Sequence, residues 1–371
     1  MKLCIQDAVD LAYGAGLLGT GGGGSPWIGQ LALQQLLATG ASVDVIDAMS
    51  LSDSATVATV AMIGAPTVMT EKLMRGDEMR LALELLEQVL DRPVDALMPV
   101  EIGGLNSTIA LVAAGTLGLP VVDADGMGRA FPEVQMVTFG IAGVSAAPMV
   151  LVNEHGDHVL VQSVDNQRME RLARSVCDAM GGVAHAASYV MTGAEVKAHA
   201  IHGTLRMAIG LGRCAREARA QGGDVLQAIR DYLAGTGIYG GSTLLFEGRI
   251  ADLDREVQAG FNIGTARLEN NTGQVMEVLF RNENLLARVG GQVRAIVPDL
   301  ICILDSESGA PITTDGLRYG QRVTVLGIGA PAALLTQKAL AVVGPAGFGL
   351  QASYQPLTVD AIPPQPSDTR S

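Results

Sequence analysis

Three consecutive stretches decide the fold: TVATVAMIG (residues 56–64), RGDEMRLALELLEQVLD (75–91) and VDALMPV (94–100). The first and third are apolar runs of strand length. The middle one places Met79, Ala82, Leu83, Leu86 and Leu90 on one helical stripe, and Pro93 stops it. Downstream, residues 108–117 read as a second helix and residues 121–123, after Pro120, as a third strand. The order β-α-β-α-β implies parallel strands joined by right-handed crossovers. A short strand at 43–47 precedes this unit, and residues 135–141 are expected to continue the sheet. Residues 150–153 and 159–164 flank Glu154-His155-Gly156-Asp157, which reads as a hairpin turn.

Further out, residues 4–18 and 25–38 have helical spacing. Ser25-Pro26 opens the second of these, with the serine oxygen expected to accept free N–H groups, and Gly40 closes it. Residues 167–181 and 194–221 read as helices. Beyond Gly240 the runs 243–246, 275–280, 292–297, 300–304 and 322–326 are short, β-prone and separated by Gly, Asp and Asn. The fold class expected is therefore α/β: an N-terminal α/β domain with a mainly parallel sheet (1–166) that carries the site loops, and a C-terminal α+β domain (167–357), β-rich after about 240. Residues 358–371, rich in proline and polar side chains, are expected as a disordered tail.

The chain has 371 residues, which suits two domains and is long enough for a large core. Only 17% of residues are charged and 4% aromatic, with 46 glycines, a composition that packs small aliphatic side chains closely and fits a homo-oligomer. A net charge of −13 argues against nucleic acid or an anionic membrane as partner. Mean hydropathy is +0.31, yet the uncharged runs 11–43 and 102–122 are interrupted by Gly and Pro, so no spanning helix is expected. Met1–Leu11 has no signal-peptide pattern, and Cys4, Cys177, Cys214 and Cys302 form no C-x-x-C pair; a cytoplasmic protein with buried thiols is the expectation.

In parallel sheets ligands bind beyond the carboxyl ends of the strands. Three loops leave such ends here: 65–71, 101–106 and 123–133. If they share one edge, Glu101, Asn106, Asp123, Asp125, Arg129 and Glu133 surround one crevice, with Gly103 and Gly104 letting backbone approach a small-molecule ligand. The alternative is that Asp and Asn cap helices, Gly serves turns and Arg129 pairs with a carboxylate. Gly19-Thr20-Gly21-Gly22-Gly23-Gly24 satisfies G-x-G-x-x-G but follows a helix, and no G-K-[ST] follows, so no nucleotide cofactor is expected. Gly22 and Gly23 either hold an anion at the next helix or form a hinge. Metal ligation is weakly signalled. Asp123-x-Asp125-Gly lacks the rest of a calcium loop, His199 and His202 lack H-E-x-x-H, and His185 stands alone. A divalent metal stays open; a serine nucleophile has no G-x-S-x-G.

The Gly21–Gly24 run, Glu101-x-Gly103-Gly104-x-Asn106, the stretch PVVDADGMGRAFPE (120–133), RYGQRV (318–323) and Gly344-Pro345-x-x-Phe348-Gly349 resemble the DUF917 family, also called the S-methyl thiohydantoin desulfurase domain family. The likeness spans about residues 4–357. It implies an N-terminal α/β domain, a β-rich C-terminal domain, and hydrolysis of an S-alkyl thiohydantoin with thiol release. It also leaves room for a non-catalytic accessory role beside a hydantoinase- or oxoprolinase-type enzyme. Glu101, Asp123, Asp125 and Glu133 are the candidate acids and bases. Gly22, Gly23, Gly103, Gly104, Asn106 and Arg129 are the candidate substrate contacts, with Arg129 as a carboxylate clamp.

Overall fold

The computed structural model describes residues 1–359 apart from 65–67, 69, 70, 73, 74 and 259. Most of the 65–71 loop and of the expected tail lies outside the described residues.

The N-terminal strands are β1 (Val45–Ile46), β2 (Thr56–Gly64), β3 (Ala96–Pro99), β4 (Val121–Val122), β5 (Ala124–Asp125), β6 (Met149–Val152), β7 (His158–Val161), β8 (Val183–Thr192) and β9 (Ile201–His202). Seven of them form one sheet in the order β1-β4-β3-β2-β8-β6-β7. The first four run parallel, as the crossover pattern requires; β8, β6 and β7 extend the sheet antiparallel. β5 and β9 pair by themselves beyond β4.

Helices cover both faces of this sheet. They are α1 (Ile5–Leu18), α2 (Pro26–Ala38), α3 (Glu78–Leu90), α4 (Asn106–Leu117), α5 (Thr138–Ala142), α6 (Asn166–Ala179), α7 (Gly193–His199), α8 (Thr204–Ala220), α9 (Val225–Thr236) and α10 (Gln337–Val343). Alternation along β2 sorts the faces. Ala58 and Val60 enter one core with residues of α1, α3, α4 and α8, whereas Val57 and Ile63 enter a second core with Phe139, Met169 and Tyr189.

The C-terminal strands β10 (Ser242–Gln258), β11 (Phe261–Glu269), β12 (Val275–Arg281), β13 (Glu283–Val289), β14 (Gln292–Ile296), β15 (Leu300–Asp305) and β16 (Arg322–Ile328) form an antiparallel sheet in the order β14-β13-β12-β11-β10-β16-β15. It curls until β13 and β14 meet β15, around a core of Phe246, Ile250, Val278, Phe280 and Val325.

Several local expectations change. Residues 135–141 are not a strand: Thr138–Ala142 is a helical turn closed by Gly143 in the left-handed region, and Phe139 packs edge-on against Tyr189 at 4.9 Å. The helix expected over 194–221 is two. α7 is boxed by Thr192 and Glu195, the chain then pairs as β9, and Gly203 (φ +79°) restarts it as α8. Ser25 occupies the N-cap of α2 with extended backbone but makes no capping hydrogen bond; Pro26 at the first helical position supplies the start.

Candidate active site

β3 and the loop after it deliver Glu101 to the carboxyl end of the parallel strands. The next residues must turn sharply to begin α4, and Gly104 does so at φ +66°. Gly104 N–H donates to the Ala15 carbonyl at the end of α1, and Leu105 N–H donates to the Gly23 carbonyl, so the glycine run lies flat on this loop. A Cβ on Gly23 or Gly103 would stand under 3 Å from facing backbone. The run thus serves close packing of chain on chain, and of the four glycines expected to contact substrate only Gly23 lines the cavity described next.

From the other side comes the tip between β12 and β13. Asn282 takes a left-handed conformation (φ +59°), and its side chain accepts from Asn262 N–H at 2.8 Å. This tight turn points Glu283 into the N-terminal domain, where Gly22 lies against its carboxyl group; a Cβ there would sit 2.1 Å from Oε1.

Between these elements lies a cavity of about 100 Å³ whose lining includes Glu101, Asn106, Glu133 and Glu283 together with Met127, Phe131, Met149 and Tyr189. Glu101 is buried. Its Oε1 accepts from Asn106 Nδ2 at 2.6 Å and its Oε2 from Phe131 N–H at 3.3 Å. Asn106 is fixed in turn, because its Oδ1 accepts from Met62 N–H at 2.7 Å. Burial drives the Glu101 carboxyl well above the usual carboxylate range; the Asn106 bond draws it back and the nearby Glu283 pushes it up again. Glu283, equally buried, is raised to about 7 by desolvation, against the opposing pull of the Arg129 cation and of Gly23 N–H. Its Oε2 has no hydrogen-bond partner among the described residues. Two carboxyl groups therefore share one pocket, and burial raises the proton affinity of both, that of Glu283 to about 7.

Asp123, Asp125 and Arg129 do not line this cavity and have structural partners instead. Asp123 caps α8, its Oδ1 accepting from Leu205 N–H (2.9 Å) and Arg206 N–H (3.1 Å) while Arg206 Nε lies 3.2 Å from Oδ2. Asp125 is fully buried, and its Oδ2 accepts from Ile102, Met127 and Gly128 N–H at 2.8–2.9 Å. Three donors on that oxygen hold the loops together, and such a lining does not suit a cation. Among the described residues no group of three or more His, Cys, Asp or Glu gathers as a ligand set.

Arg129 is also fully buried and cannot clamp a substrate. Its guanidinium donates to the carbonyls of Ala130, Asn284, Pro298 and Asp299 at 2.9–3.2 Å and lies over the Phe131 ring. Three of those carbonyls belong to the C-terminal domain, so the cation ties the two halves together behind Glu283. Glu133 lines the cavity but pairs with Arg281 at 3.1 Å, and Arg281 shares the Phe261 ring with Arg174.

Models of the S-Me-THD-like N-terminal domain and the S-Me-THD-like C-terminal domain match residues 6–163 and 164–357. The chain belongs to the S-Me-THD-like, DUF917-type family. A crystal structure of a protein from Chromobacterium violaceum is similar to it over 96% of this chain and 100% of that one, at 25% identity and a TM-score of 0.80. No curated protein matches. Membership in the S-Me-THD-like family implies its general role, action on an S-methyl thiohydantoin or a related cyclic ureide. Within this S-Me-THD-like fold Glu283 is the residue that reasoning from sequence missed. The signal available was slight: a charged residue between two asparagines at a hairpin tip, Arg281-Asn282-Glu283-Asn284. No helix among the described residues is long and apolar enough to cross a membrane.

Proposed function

We propose that the cavity hydrolyses the C–S bond of an S-alkyl thiohydantoin, with Glu283 and Glu101 as the proton-transferring pair. The observation that carries this reading is the convergence of two buried carboxyl groups, both with raised proton affinity, in one partly apolar pocket. Family membership supplies the substrate class.

Water attacks C2 of the ring, the carbon bearing sulfur, and gives a proton to Oε2 of Glu283 in its carboxylate form, which a proton affinity of about 7 leaves populated near neutral pH. Glu101 donates its proton to the ring nitrogen as the C2=N bond opens. When the tetrahedral centre collapses, the C–S bond breaks and its electron pair leaves with sulfur. Sulfur takes the proton from Glu283, and Glu101 regains one from the C2 hydroxyl as the carbonyl forms. One water is consumed, and one thiol and one hydantoin are produced. Asn106 holds Glu101 in place throughout, and Met127, Phe131 and Tyr189 shield the proton transfers from bulk water.

The test is to incubate the purified protein with an S-methyl thiohydantoin in ¹⁸O-labelled water and follow thiol and hydantoin together. Equimolar thiol and hydantoin, with one label at the C2 carbonyl, is the expected result. Tight binding of the compound with no thiol release favours the accessory role and overturns the catalytic one.

A further inference from the structure

On the opposite face of the first sheet lies a second cavity, of about 290 Å³, between α2, α3 and α4. Its floor is the β2–β8 pair at the point where Met62 and His185 face each other in register, so both side chains leave the sheet on the same side. Its walls are mainly aliphatic, including Ala32, Ile109 and Val112.

Among the described residues, the few polar groups around it are accounted for, with one exception. Glu78 accepts from Arg75 and Gly76 N–H at 2.6 and 2.8 Å. Lys72 pairs with Glu154, Arg80 with Glu84, and the Thr116 hydroxyl donates to the Val112 carbonyl. His185, only 6% exposed, makes no hydrogen bond with any described residue. Burial holds its imidazole below the usual range, against the opposing pull of Glu78, so the ring is neutral and offers one donor and one acceptor nitrogen. A buried polar group of this kind is costly unless something satisfies it. The cavity is also roughly twice the ~150 Å³ apolar hole that holds benzene.

We propose that this cavity is a second small-molecule site, taking a neutral, mainly apolar ligand of bicyclic-aromatic size whose single hydroxyl pairs with His185. Among the described residues it shares only Met62 with the lining of the proposed catalytic cavity, and it does not depend on that assignment.

2-Naphthol and naphthalene are suitable probes, one with and one without the hydroxyl, titrated against the full chain by fluorescence. Naphthol is expected to bind saturably and about tenfold tighter than naphthalene, the cost of leaving the imidazole unpaired. His185→Leu should bring the two affinities together, and Ala32→Phe should weaken both at least tenfold by filling the space. Glu283→Gln should leave both unchanged, which separates this site from the catalytic cavity. In the wild-type protein, naphthol should shift the ring ¹⁵N signals of His185 and of no other histidine, a readout that stands even if a variant fails to fold. Absence of saturable binding, equal affinity for the two probes, or an unmoved His185 signal would overturn the proposal.

Discussion

Glu283 gives up water on folding and receives in return one N–H from Gly23 and a cation held at a distance, which is too little to keep it ionised at the usual pH. The linkage has a definite sign. Its proton affinity in the folded protein, about 7, exceeds the ordinary value of 4.5. The folded state therefore keeps the proton while the unfolded chain loses it, and stability present below pH 4.5 drains away as pH rises through 7. For this fully buried group the loss is about 3 kcal/mol. Urea unfolding at pH 5 and pH 8 should show it, and Glu283→Gln should flatten the pH dependence by at least that amount, because it also removes the repulsion that raises Glu101; Asp125, raised to about 6, titrates in the same window in both proteins and cancels. A second prediction concerns Gly22. In Gly22→Ala the new methyl meets the movable end of Glu283 rather than backbone, so the carboxyl shifts and the fold stays. Thiol release should fall at least tenfold while the melting temperature barely changes.

Between elements, two contacts decide how the halves assemble. α1 crosses α8 so closely that a Cβ on Gly14 would lie 1.9 Å from the Ala208 carbonyl oxygen, and one on Gly212 would lie 1.9 Å from that of Asp10. Backbone faces backbone there, so Gly212→Ala should cost about 3 kcal/mol or more by denaturant unfolding. Arg129 is the other contact. Arg129→Met leaves four carbonyls and Glu283 without their cation, and should cost about 3–5 kcal/mol. In whatever fraction stays folded KM should not change, whereas a clamp on substrate would raise KM first. The parallel half of the sheet was legible because TVATVAMIG and VDALMPV are apolar runs flanking an amphipathic helix. β8 was not, because VAHAASYVMT is buried on both faces and built largely from small residues, so it carries neither alternation nor β-branched density. The same limit explains residues 135–141, where a short apolar run fits strand and helix alike until Tyr189 provides a partner for Phe139. In the site, Glu101, Asn106 and Glu133 were legible as polar residues at strand ends. Asp123, Asp125 and Arg129 have the same residue types in the same loops, and only the count of donors and acceptors around each one separates a cap or a tie from a free functional group.

For the whole molecule, each half is incomplete without the other. The family models divide at 163/164, yet β8, which sits between β2 and β6 at the middle of the first sheet, lies after that point. A fragment ending at residue 163 leaves the open edges of β2 and β6 facing each other and strips α8 from α1. It should unfold without a cooperative transition, in contrast to the full chain. The cavity follows the same logic, with Glu101 from one half, Glu283 from the other and Arg129 holding them in register. The most direct measurement is the rate of thiol release from an S-methyl thiohydantoin by Glu101→Gln and Glu283→Gln, each verified as folded. A fall of about 10²–10⁴-fold in each is the predicted result, and turnover within a few-fold of wild type in either would contradict the role of the paired carboxyl groups.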